Sequence, residues 1–173
     1  MSRQIVPVLV VAALGAAWAV CVPRGDPLAA QTAATGQQKL PRLLTAKPVE
    51  IAEERDEMRK LMRARYNAAL EEVRARYQQF LHGHGKLDPM LDAFRRLLAS
   101  GVVAADTGKD QVEFLEQYVD LTRQVSNNVH GQKKSGQFSS AEAAQARYMY
   151  LDAQIQLLHA QRRLAGPAGV KRP

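Results

Sequence analysis

The chain has a single cysteine, Cys21. An intramolecular disulfide needs two thiols, so no covalent staple can hold this fold. Aromatic residues make up only 6% of it, and after residue 30 it has no long run of Val, Ile and Thr. Strands draw on those residue types, so a sheet is not expected. The local signatures of familiar catalysis are missing too. There is no Gly-x-Ser-x-Gly elbow and no glycine-rich phosphate loop following a strand. Acids are plentiful, but they sit at helical spacing from bases, and none lies in an apolar run that would raise its pKa toward acid–base work. The chain reads as no enzyme, and no cofactor is expected.

What is present fits one domain plus an N-terminal segment: 173 residues with a net charge of +7. Such a charge suits a nucleic-acid or anionic partner. Here, however, bases alternate with acids at i,i+4 spacing, as in Asp56 with Lys60, Glu72 with Arg76 and Asp92 with Arg96. Pairs of this kind mainly solubilise a helix surface, at about 0.2–0.5 kcal/mol each. Tyr66, Tyr77, Tyr148 and Tyr150 lie among arginines, yet at positions where a tyrosine packs its ring and keeps its hydroxyl at the edge. Nucleic acid is not an expected partner.

Residues 1–30 read as a targeting segment. Arg3 is followed by an uncharged apolar run from Ile5 to Val22, and two cleavage sites fit: Ala17-Trp18-Ala19 before Val20, and Leu28-Ala29-Ala30 before Gln31. The second is preferred, which leaves the mature chain without cysteine. The alternative is an uncleaved inner-membrane tether through residues 5–22, a run just long enough to span a bilayer. Trp18-Ala19-Val20 is a poor approach to a lipidated Cys21. Residues 31–48, with Pro41 and Pro48, read as a flexible linker. The expected location is therefore the periplasm or cell envelope.

From residue 49 to 165 the signal is helical. Met58, Met62, Tyr66, Ala69, Leu70, Val73, Tyr77 and Phe80 form one stripe of a long helix that Gly83 and Gly85 end. Asp88 is placed to cap a second helix, with Pro89 at its first position and Leu91, Phe94, Leu98 and Val102 inward. Gly101 and Thr107-Gly108 are expected to break it. A third helix starts near Asp110, turns Val112, Leu115, Tyr118 or Val119, Thr122, Val125 and Val129 inward, and stops at Gly136. Ser139 with Glu142 has the spacing of a capping box opening the fourth. Its stripe is Ala144, Tyr148, Leu151, Ile155 and Leu158, and residues 166–173 form a disordered tail. The expected fold is all-α: two antiparallel helical hairpins in an elongated, coiled-coil-like four-helix arrangement, since a 25-residue helix is about 38 Å long.

The two halves echo each other. Gly85, Leu87, Asp88, Ala93 and Arg96 match Gly136, Phe138, Ser139, Ala144 and Arg147 at a constant offset. Gly85 and Gly136 are both expected at helix C-caps with positive φ. A long helix, Gly-x-hydrophobic-Ser/Asp, an Ala and a second long helix resembles the hairpin repeats of TolC-type outer-membrane efflux proteins. It is also similar to the short bacterial envelope proteins that share those repeats. The matching positions are Gly136, Phe138, Ser139, Ala144 and Leu151, and less closely Gly85, Leu87, Asp88, Ala93 and Leu98, across residues 56–164. The resemblance implies a helical hairpin module in the envelope. It does not imply a channel, because this chain lacks the alternating strands that build the family's barrel.

His82-Gly83-His84, with Asp88 nearby, is a partial set of zinc or copper ligands. No third or fourth ligand follows at a recognised spacing, and His130 and His159 fall on other helices, so no metal is expected. The fourth helix is apolar on more than one side. With the Tyr148 row turned inward, Met149, Tyr150, Leu157 and Leu164 fall partly outside it; the candidate interface is Tyr148, at the edge of the row, together with Tyr150, Leu157 and Leu164. The expected function is helix–helix interaction, as an efflux-protein-like structural or adaptor module that docks a helical envelope protein or a second copy. The alternative is a periplasmic chaperone or envelope-stress sensor whose basic, Met- and Tyr-bearing face captures clients.

Overall fold

The computed structural model describes residues 40–52, 54–133 and 135–166. The expected signal segment or tether, the first part of the linker and the tail beyond Gly166 lie outside them. The described residues fall in one compact unit, Lys39–Pro173. They form five helices and no strand: α1 (Arg42–Thr45), α2 (Glu57–Leu81), α3 (Leu87–Ala104), α4 (Gly108–Lys133) and α5 (Ser140–Ala165). The all-helical class follows from the residue periods. Tyr66, Ala69, Leu70, Val73, Tyr77 and Phe80 of α2 are buried, as are Leu115, Tyr118, Thr122, Val125 and Val129 of α4. The most extensive packing is α2 on α3 and α4 on α5, with smaller contacts of α3 on α4 and α5 and of α1 on α2 and α4.

Both turns use one device, in a register the sequence does not suggest. After α2, the Gly83 N–H donates to the Phe80 carbonyl and the His84 N–H to Gln79. After α4, the Gly136 N–H donates to Lys133 and the Gln137 N–H to Gln132. These are paired Schellman caps, whose first residue beyond the C-cap is left-handed. Gly83 has φ +73 and Gly136 φ +78. The structural equivalent of Gly136 is therefore Gly83, and the expected positive φ at Gly85 is corrected. Gly85 is required for a different reason: a Cβ there would stand 2.7 Å from the backbone nitrogen of Phe80.

The cap of α3 moves with it. Lys86 is the N-cap and bonds through no side chain, while Asp88 lies in the first turn and Pro89 one residue beyond. Pro89 is still within the stretch whose N–H groups have no helical partner, so its ring costs nothing. Ser139 caps α5 in a full capping box with Glu142. Gly136→Val should lower the melting temperature by an amount equivalent to about 1–2 kcal/mol, since no neighbour lies within 4 Å and the cost is backbone strain alone. Gly131→Ala, inside α4 with equally open space, should raise stability by up to about 1 kcal/mol. Equal shifts in thermal melts would contradict this cap.

Two further expectations are corrected. Part of the presumed linker belongs to the core: Leu43 and Leu44 of α1 are buried. Arg74 of α2 fastens them, donating from Nε to the Leu44 carbonyl at 2.8 Å and from its terminal nitrogen to the Ala46 carbonyl. The Asn67 side chain bonds both the N–H and the carbonyl of Val49 at 2.9 Å. Gly101 does not break α3; it lies buried inside it, against the Phe114 ring. The expected break at Thr107-Gly108 is present, since α3 ends at Ala104 and α4 begins at Gly108, and Thr107 also opens α4. Its hydroxyl accepts from the Asp110 N–H at 3.1 Å while the Asp110 carboxylate accepts from the Thr107 N–H at 3.0 Å.

Candidate interaction surface

The face of α5 that enters the core is made of alanine. Ala146, Ala153 and Ala160, seven residues apart, are 2%, 0% and 3% exposed, and Met149 is buried beside them. Ala143 and Leu157 pack partly against the same core, and Tyr150 is half-buried. The large apolar row lies on the other side, with Tyr148 69%, Leu151 44%, Ile155 51% and Leu158 52% exposed. Each residue turns a helix by about 100°, so these two rows are on roughly opposite faces. The expected inward stripe of Ala144, Tyr148, Leu151, Ile155 and Leu158 is thus reversed. Among the candidate interface residues, Tyr148 and Leu164 are exposed, whereas Tyr150 and Leu157 are partly buried.

The cause is the fit between α4 and α5. Helix α4 supplies the bulky side of the core with Tyr118, Leu121, Val125 and Val129. A partner with large side chains would hold the two axes apart, whereas alanines at heptad spacing let the backbones approach and fill the interior without voids. Alanine carries little hydrophobic signal of its own, so counting large apolar residues points to the wrong face.

Several charged groups pair in ways the sequence spacing does not suggest. Arg96 does not pair with Asp92. It crosses from α3 to α2 and grips Glu72 with two hydrogen bonds, 2.7 and 2.9 Å, and that guanidinium holds the Glu72 carboxyl below its usual pKa. Asp92 takes Arg95 at 2.5 Å. Lys60 pairs with Glu57 at 3.5 Å, because Asp56 is occupied in capping α2 through the Met58 N–H. Arg63 bridges Glu54 at 3.2 Å and Asp106 at 3.0 Å. Hydrogen bonds from the Ser139 N–H and hydroxyl lower the Glu142 carboxyl's pKa. Tyr66, Tyr77 and Tyr118 are core residues whose phenols burial pushes upward, and the Tyr118 hydroxyl donates to the Phe94 carbonyl at 3.1 Å.

His82 and His84 are both exposed, and the His82 Nδ1–H donates to the Gln78 carbonyl at 2.7 Å. That bond uses one ring nitrogen on the end of its own helix. Among the described residues no three His, Cys, Asp or Glu side chains converge in a way that could hold a metal ion. No described helix is long and apolar enough to cross a membrane. No family model matches this chain, and no curated protein or solved structure matches it either. Met58, Leu61 and Val103 are exposed on other helices, but among the described residues the longest regular row of exposed large apolar side chains is the outer face of α5.

Proposed function

We propose that this chain is a non-enzymatic, exported protein of the cell envelope that works by docking a further helix along α5, as an efflux-protein-like structural or adaptor module. In this reading α2–α3 and α4–α5 are two antiparallel hairpins. The observation that carries it is the row Tyr148, Leu151, Ile155 and Leu158, left in water while alanines fill the core. Contiguous apolar surface of this kind is typical of an interaction site. The envelope setting rests on the apolar run at residues 5–22, and the efflux-like character on the resemblance at Gly136, Phe138 and Ser139. The non-enzymatic character is supported by Glu72, Asp92, Asp106 and Asp120, each of which pairs with an arginine.

A photo-crosslinking residue placed at Leu151 or Leu158 in the full chain, expressed in its bacterial host, tests this. Crosslinked species are expected in the envelope fraction from these two positions and not from exposed Glu116 on α4. Intact mass should show a mature chain beginning at Gln31. Equal labelling from Glu116, or none from α5, overturns the reading.

A further inference from the structure

The outer row of α5 is not a scatter of apolar residues. It keeps a strict alternation of three and four: Ala141, Ala144, Tyr148, Leu151, Ile155 and Leu158, all exposed. Written as a heptad with Tyr148 at a, these are successive a and d positions. The buried Ala146, Ala153 and Ala160 then fall on f, and Ala143, Tyr150, Leu157 and Leu164 on c. A spacing of 3.5 residues is that of a seam facing another helix, which a stripe facing an open sheet or a lipid surface does not require. One helix therefore carries two seams, one satisfied within the chain and one open.

We infer that the open seam pairs with α5 of a second copy, in a parallel two-stranded coiled coil. The inference rests on the helix-docking reading above and names the partner. Ile155 at a with Leu151 and Leu158 at d is the choice that favours two parallel strands. The flanking charges agree. Arg147 is at g, and Asp152, five residues on, is at e, the g-to-e′ relation that meets across a parallel dimer. Each protomer thus offers one cation and one anion to the other, and a two-fold axis satisfies both pairs at once. Neither Arg147 nor Asp152 forms an ion pair among the described residues. Antiparallel pairing would set e against e and g against g, which brings Arg147 no carboxylate. The seam ends at Arg162, the next a position, where two like charges would meet. The packed segment is Ala141 to Leu158, about five turns.

The dimer costs little ordering, because α4 already holds α5 helical. Sedimentation equilibrium of the purified full chain at micromolar concentration should give a dimer. Leu151→Glu with Ile155→Glu should weaken it at least about 100-fold, as loss of two central anchors does, while the circular dichroism spectrum stays helical. Orientation is read by disulfide formation in a Cys21→Ser background. Ala144→Cys, at d, and Ile155→Cys, at a, should each crosslink with itself and not with the other, because an antiparallel pair would set a against d. A mixed 144–155 disulfide instead overturns the parallel arrangement. A monomer at every concentration overturns the dimer. If that monomer still crosslinks in the host to a different protein through Leu151, the docking reading stands and only the second copy is lost; if nothing crosslinks, both fall.

Discussion

Ala153→Leu will destabilise the protein by about 1–3 kcal/mol or more, while Leu151→Gln, two residues earlier on the same helix, will change its stability by less than about 0.5 kcal/mol. The first figure is the usual cost of forcing extra methylenes into a filled interior. Ala153 is 0% exposed, on a helix that packs extensively against α4. Leucine there must push the two helices apart or take an unfavourable rotamer. The second figure is that of an ordinary surface change. Leu151 is 44% exposed, and in the monomer glutamine removes only a little burial. The conventional reading of the sequence gives the opposite order. A core leucine replaced by a polar residue would cost at least the roughly 2–5 kcal/mol of a Leu→Ala truncation, and a surface alanine replaced by leucine almost nothing. Urea denaturation of both variants, run dilute enough to keep the chain monomeric, decides between the two. A stable Ala153→Leu alongside an unfolded Leu151→Gln would mean that α5 is turned half a revolution from the arrangement described.

Gly101→Ala should also destabilise, although helix propensity alone predicts a gain of about 1 kcal/mol. A Cβ at Gly101 would lie 2.2 to 2.6 Å from three atoms of the Phe114 ring. The ring cannot simply swing away. It is packed edge-on to Tyr66 at 6.0 Å and stacked on Tyr118 at 6.1 Å, and it is 9% exposed. Overpacking costs of about 1–3 kcal/mol therefore outweigh the propensity term. Shortening the ring tests the cause. In the Phe114→Leu background the penalty of Gly101→Ala should largely vanish, a coupling expected only of residues in direct contact. Stabilisation by Gly101→Ala in the otherwise unchanged chain would show that the notch is not filled by Phe114.

Some of this molecule is written locally. The helices of residues 57–165 follow from apolar residues at intervals of three and four. The Ser139–Glu142 box and the turn at Gly136 follow from spacings of a few residues, because a capping bond reaches only three to five residues along the chain. Local spacing also fails where two local solutions compete. In Gly83-His84-Gly85 both glycines look suitable for the left-handed position. The six-to-one bond onto Gln79 places it at Gly83 and leaves Gly85 to let the backbone pass close to Phe80.

The remaining features are settled between elements distant in the chain. Glu72 has Arg76 one helical turn away, but the geometry of α3 brings it the fork of Arg96, which binds it twice. Nothing near Leu43 or Leu44 announces their burial, since Arg74, thirty residues from Leu44, supplies the bonds that hold that segment down. The rotation of α5 is the fullest case. Its sequence contains two heptad seams, one of large residues and one of alanine, and each is a proper helical stripe by itself. Which of them enters the core depends on the bulk already contributed by Tyr118, Leu121, Val125 and Val129 of α4. The sequence by itself determined that α5 is a helix with two seams. Only the tertiary structure decided that the alanine seam goes in and the leucine seam faces out, because close packing is a property of two surfaces together and not of either one.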